Sequence, residues 1–239
     1  MKLQTYKDPT ELSRAVADWL VSYIGEVLER QNRFTIALSG GSTPQKLFEL
    51  LATPPYRETI AWDRLHIFWG DERYVPFTDE RNNARMASEA LLNHVPIPKS
   101  KIHHWQTDLQ PEAAAAAYGQ LLHHYFDKQT STFDLVLLGM GDDGHTLSLF
   151  PGTEVVFEDQ AWTSAYHLNA QDMYRLTLTA PVVNQSACVA FLVTGQGKAT
   201  VLKEVLHGTY QPAVYPSQRI QPANGELIWF VDEAAAGRL

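Results

Sequence analysis

The sequence is poor in several things, and each shortage excludes something. It has one cysteine, Cys188, in 239 residues. One cysteine cannot make an internal disulfide framework or a Cys-based zinc site. Cys188 lies in an apolar run, which reads as a buried, inert thiol. Long apolar runs are missing too: none approaches the ~18 residues of a membrane span. The N-terminal segment Met1-Lys2-Leu3-Gln4-Thr5 offers no apolar stretch for a signal peptide, so a soluble cytoplasmic protein is expected. Positive charge is scarce: 19 Lys and Arg stand against 27 Asp and Glu, a net of -8. That balance argues against nucleic acid or a membrane surface as a partner. It leaves open a small anion, because the charge of a site is local.

Two further absences concern chemistry. No H-x-x-x-H or H-E-x-x-H spacing occurs, and the pairs His103-His104 and His123-His124 cannot share one helix face. No metal site is expected. No G-x-S-x-G nucleophile elbow occurs either, which points away from an acyl-enzyme and toward water activation.

What is present can fold. The chain is 45% hydrophobic and 11% aromatic, enough for a real core. Asp8-Pro9-Thr10-Glu11 reads as a helix start, and Leu12, Ala15, Val16, Trp19, Leu20, Tyr23, Ile24, Val27 and Leu28 follow with helical spacing to about Arg30. Strand-length apolar runs cover Phe34 to Leu38, Leu65 to Trp69, Phe133 to Leu138, Tyr174 to Leu178, Cys188 to Val193 and Leu227 to Val231. Helix-like stretches lie between them: Pro44 to Leu51, Asn83 to Leu92, Glu112 to Phe126 and Gly197 to Leu206. The alternation predicts an α/β fold with a mostly parallel sheet, in one domain over 1–239. Ligands of such sheets bind beyond the carboxyl ends of the strands, so the loops there carry the information.

Four of these loops are distinctive. Ser39-Gly40-Gly41-Ser42-Thr43-Pro44 offers free N–H groups to a phosphate, with Thr43 expected to cap the next helix and Pro44 to open it. An ordinary tight turn is equally compatible. Gly70-Asp71-Glu72-Arg73-Tyr74-Val75-Pro76 puts charge directly after a strand. There Arg73 could clamp an oxyanion, Asp71 could act as a base or accept a sugar hydroxyl, or the charges could simply pair with one another. Gly139-Met140-Gly141-Asp142-Asp143-Gly144-His145 spells G-x-G-x-x-G, but Asp142 and Asp143 would repel a pyrophosphate. Pro151 would stop the following helix after about two turns, which is too short for a dinucleotide unit. His145 is the better clue, since an imidazole can deprotonate water at neutral pH and Asp143 could orient it. Arg175, opening Arg175-Leu176-Thr177-Leu178-Thr179, and Lys198, opening a helix after Thr194-Gly195-Gln196-Gly197, supply further cations. Each of the two could also be an ordinary surface charge.

In this order the segments resemble the glucosamine-6-phosphate isomerase/6-phosphogluconolactonase family. The resemblance runs over nearly the whole chain and includes Ser148-Leu-Phe-Pro151 and Trp229-Phe-Val-Asp-Glu-Ala-Ala235. It implies a Rossmann-like three-layer sandwich (NagB-like) and no required cofactor. It implies hydrolysis of 6-phospho-D-glucono-1,5-lactone to 6-phospho-D-gluconate in the pentose phosphate pathway; separately, a monomer or small homo-oligomer is expected. The deaminase branch places a Glu five residues after the loop His; here that position is Phe150, which cannot relay a proton. Leu147 and Asn82 depart from the lactonase pattern, which usually has Ala and Ser there.

For that reaction His145 is expected to act as general base, oriented by Asp143 or by Asp71. Gly40, Gly41, Ser42, Thr43, Arg175 and Lys198 are expected to hold the phosphate, with Arg73 on phosphate or oxyanion. Three alternatives are a glucosamine-6-phosphate deaminase/isomerase, a non-catalytic sugar-phosphate-binding domain and a nucleotide-dependent oxidoreductase. The last is disfavoured by the acidic loop and Pro151.

Overall fold

The computed structural model describes residues 1–239. In chain order the elements are β1 (Lys2–Tyr6), α1 (Pro9–Leu28), β2 (Phe34–Leu38), α2 (Ser42–Leu51), α3 (Tyr56–Thr59), β3 (Leu65–Trp69), β4 (Asp71–Arg73) and α4 (Asn83–Ala87). There follow α5 (Pro111–Phe126), β5 (Leu135–Leu138), β6 (Thr163–Leu168), β7 (Met173–Leu178), α6 (Ala180–Asn184), β8 (Cys188–Val193), α7 (Ala199–His207), β9 (Glu226–Asp232) and α8 (Glu233–Ala236).

Six strands form one sheet in the order β1-β9-β8-β5-β2-β3, with every neighbouring pair parallel. The central strands read as continuous apolar runs because both faces are covered. Side-chain alternation shows by what. Phe34 on β2 meets Tyr23 of α1, while Phe68 on β3, which pairs with Ala37, points the other way and meets Phe126 of α5. Helices therefore pack on both faces, as expected. Asp8 caps α1 through both Thr10 and Glu11 amides, also as expected.

A second, antiparallel sheet, β4-β7-β6, corrects part of the sequence reading. The Tyr174 to Leu178 run belongs to it and not to the parallel sheet. The segment Asp71 to Arg73, expected as loop, is its β4 strand. Gly70 is where the chain leaves one sheet for the other: its N–H donates to Leu38 and its carbonyl accepts from Leu178. A Cβ there would lie 2.6 Å from Leu147 Cδ2. The turn after His145 is not helical at all, and Lys198 closes a 3-10 turn (Gln196–Lys198) that precedes α7. The expected Asn83 to Leu92 helix is α4 followed by a wider π turn, Ser88–Leu92. Strands β1 and β6 carry too few apolar residues to be recognised from sequence.

The chain leaves β2 toward β3 on one side, and later fills β5, β8 and β9 on the other. The order reverses between β2 and β5. A crevice opens at such a switch point, outside the carboxyl ends of the strands. The loops after β2, β3, β5 and β8 all end there.

Candidate active site

A cavity of about 270 Å³ occupies this crevice. Gly40, Gly41, Ser42, Thr43, Asp71, Arg73, His145, Arg175 and Lys198 all line it. Asp143 is not on the wall; it backs His145. Residues spread over more than 150 positions of sequence thus converge, because four strand ends do.

The β2 loop presents backbone. Gly41, at φ 101°, is the N-cap of α2, so the helix begins at Ser42 and Pro44 is its third residue. The expectation of a Thr43 cap fails for a physical reason. A positive φ at Gly41 starts the helix early, and the Thr43 hydroxyl instead meets Thr194 Oγ1 at 2.8 Å, tying the β2 loop to the β8 loop. The amides of Gly40, Gly41, Ser42 and Thr43 donate to no protein acceptor. Four free donors at a helix start suit a bound anion. Gly40 cannot be larger: a Cβ on it would lie 2.0 Å from Asn83 Oδ1.

The β5 loop presents the imidazole. His145 Nδ1 lies 2.6 Å from Asp143 Oδ1, which also accepts the His145 backbone N–H at 3.0 Å. With Nδ1–H donating to the carboxylate, Nε2 carries the lone pair. Burial pushes the Asp143 carboxyl up, but hydrogen bonds from the His145 side chain and backbone outweigh it, and the group stays below its ordinary value. The ring of Phe150 stacks on the imidazole at 4.1 Å and 22°. Gly141 makes room for this pair, since a Cβ would lie 2.0 Å from His145 Nδ1. Gly144, at φ 82°, has its carbonyl held by the Ser217 amide and hydroxyl. The imidazole is fixed in its plane, on its face and through its backbone.

Asp71 does something else. Its Oδ2 accepts from Arg175 Nη2 at 3.0 Å and from Ser148 Oγ at 2.7 Å. The two side chains of the ion pair are only 7% and 4% exposed. Of the two carboxylates expected to orient His145, the one hydrogen-bonded to it is Asp143. Arg175 also donates to Ser148 Oγ and Gln171, and its guanidinium lies 5.4 Å from the centre of the Phe150 ring. Arg73 stands directly opposite Arg175 in the β4–β7 register and donates to the Arg81 carbonyl. Lys198 Nζ lies 2.5 Å from Asp142 Oδ1. Three cations and a helix start line one cavity, so the local field favours an anion.

The sequence profile of the family described as glucosamine-6-phosphate isomerases/6-phosphogluconolactonase matches residues 7–229. The chain belongs to this family. Among curated relatives, the 6-phosphogluconolactonase of Nostoc sp. is 40% identical over 242 aligned residues, covering 99% of this chain and 98% of the relative. That of Synechocystis sp. is 40% identical over 220, covering 90% and 89%. Among solved structures, the 6-phosphogluconolactonase of Trypanosoma brucei superposes with a TM-score of 0.87 at 29% identity, over 100% of this chain and 98% of that one.

In this member of the glucosamine-6-phosphate isomerase/6-phosphogluconolactonase family, four site residues had no readable role in the sequence. Asn83 packs on Gly40 and donates to the Asp71 carbonyl at 3.0 Å. Glu72 accepts the amides of Arg73, Asn83 and Ala84, and burial pushes its carboxyl up to about 7. Ser148 bridges Asp71 and Arg175, and Thr194 meets Thr43. The one local signal was the helix start at Asn82. As cap it accepts the Arg85 amide at 2.8 Å, so Asn serves there as Ser would. The other departure, Leu147, sits at φ 54° with its side chain against Gly70, a backbone region that costs a leucine energy.

Proposed function

We propose that this chain hydrolyses 6-phospho-D-glucono-1,5-lactone to 6-phospho-D-gluconate, acting in the cytoplasm through the one domain that 1–239 forms, as a monomer or small homo-oligomer. The observation that carries the mechanism is the His145–Asp143 pair in the same cavity as the free amides of Gly40 to Thr43. The amides, with Arg175 and Lys198, hold the 6-phosphate. His145 Nε2 takes a proton from water as the water oxygen attacks the lactone carbonyl carbon. The carbonyl electrons move onto its oxygen, and Arg73 supplies a nearby cation for the charge that develops.

When the intermediate collapses, the bond from that carbon to the ring oxygen breaks. The imidazolium returns its proton to the ring oxygen, which leaves as a hydroxyl. The Asp143 carboxylate and the Phe150 face both favour the transient imidazolium. An aromatic side chain at position 150 supports hydrolysis over deamination, because it offers no carboxylate to relay a proton.

The test is a lactonase assay on freshly made 6-phosphogluconolactone, corrected for spontaneous hydrolysis. Parent protein turns it over, and His145→Ala loses roughly 10²–10⁴ in kcat. Full activity in His145→Ala removes the general base. Ammonia released from glucosamine 6-phosphate would favour the deaminase instead.

A further inference from the structure

Two consecutive carboxylates in the β5 loop do different work. Asp143 is engaged by His145 through side chain and backbone. Asp142 is 76% exposed at its side chain and touches one polar partner, the Lys198 ammonium, at 2.5 Å. Lys198 is the better buried of the two at 23% exposure, lines the cavity, and has no other side-chain partner.

The backbone under Lys198 is fixed. The Lys198 amide donates to Gly195, and the Gly195 amide is held by both oxygens of Asp232 at 3.0 Å. Only the side chain of Lys198 has freedom to move. An exposed ion pair of this kind contributes little to stability, so a stronger anion can displace it. A phosphate dianion is such an anion, and Asp142 would repel it.

We propose that Asp142 is an affinity-setting residue: in the free enzyme it occupies the Lys198 ammonium, and the phosphate of the substrate must take that ammonium from it. The inference rests on the reading of Lys198 as a phosphate contact. Asp142 acts through Lys198 and touches no reacting atom. It restrains binding at the phosphate end while Asp143, one residue on, supports the base.

The test compares Asp142→Asn, Lys198→Met and the double variant in the full chain, with KM and kcat measured on 6-phosphogluconolactone at low and high salt. Removing one like charge beside a dianion lowers KM by about 3- to 10-fold at low ionic strength, and less as salt screens it. The change is confined to KM, disappears in the Lys198→Met background, and is absent for gluconolactone, which lacks the phosphate. Inorganic phosphate inhibits Asp142→Asn more strongly than the parent. Asp127→Asn, an equal change of charge beyond the end of α5, leaves KM where it was.

A KM that is unchanged or raised in Asp142→Asn overturns the proposal, as does an equal gain in Asp127→Asn. If Lys198→Met leaves KM as it was, the phosphate role of Lys198 falls and this inference falls with it. If Lys198→Met raises KM while Asp142→Asn changes nothing, the competition alone is refuted.

Discussion

Replacing Asp71 by Asn tests the division of labour between the two carboxylates. Residues Asp71, Arg73, Arg175 and Thr177 share one face of the β4–β7 pair, since they alternate along each strand and sit in register. Two arginines therefore oppose each other directly, an arrangement that is unfavourable by itself. The Asp71 carboxylate lies diagonal to Arg175 and offsets it at 3.0 Å. Both side chains are almost fully buried, at 7% and 4% exposure. Asparagine keeps an oxygen for Ser148 but carries no charge. Arg175 is then buried beside Arg73 with nothing to offset it.

Breaking a buried pair from one side costs about 3–5 kcal/mol. For a chain of this length each kcal/mol lowers Tm by roughly 2–4 °C, so the drop should be about 6–20 °C. Urea denaturation at pH 7 gives the free energy, and a thermal scan gives Tm. Added inorganic phosphate should raise Tm more in Asp71→Asn than in the parent, because it supplies the missing negative charge to the same cavity. A loss below 1 kcal/mol would refute the argument. So would a variant that is as stable as the parent but as inactive as His145→Ala, for then Asp71 acts on the base after all.

Two further predictions follow from the same geometry. Asp143→Asn removes the carboxylate that holds the His145 ring and favours the imidazolium formed in the reaction; kcat should fall by roughly 10²–10⁴, and a kcat equal to the parent's means that Asp143 does not support the base. Glu72 is a buried carboxyl whose folded pKa, about 7, lies above its ordinary 4.5. Between those values the native state holds a proton that the unfolded chain has lost, so this group's contribution to stability falls as pH rises from about 4.5 to about 7 and is flat above that. The gap amounts to roughly 3 kcal/mol. Urea midpoints across that range should decline more steeply in the parent than in Glu72→Gln, and parallel lines would sink the assignment.

The sequence carried the scaffold well where periodicity was strong. Phe34 to Leu38, Leu65 to Trp69 and Cys188 to Val193 are strands at those bounds, because buried parallel strands are unbroken apolar runs. The small sheet was not legible. Asp71-Glu72-Arg73 has none of the apolar character that marks a strand, and its pairing with β7 joins residues about 100 positions apart. The site residues were legible by type and not by partner. His145 and Asp143 are two positions apart, so their pairing could be guessed. The alternative, Asp71, could be dismissed only when its ion pair with Arg175 was seen, 104 residues away. Spacing along a chain gives no access to contacts that a sheet creates between distant strands.

A chain with a net charge of -8 can still hold an anion, and the reason lies in how its nearby acids are engaged. Asp71 is held by Arg175 and Ser148, and Asp143 by His145. Glu72 is buried among three backbone amides with its pKa raised to about 7, so it carries only a fraction of a charge at neutral pH. Each of these carboxyls has a fixed set of donors, and a fixed donor set mutes its field at the cavity. Two of the three cations there are less tightly committed than Arg175: Lys198 has only an exposed partner, and Arg73 donates to a neutral carbonyl. The net charge of the surface thus says little about the cavity. The exception is Asp142, the one acid at the rim whose only partner is a cavity cation, and its removal should strengthen phosphate binding even though it changes the net charge by a single unit.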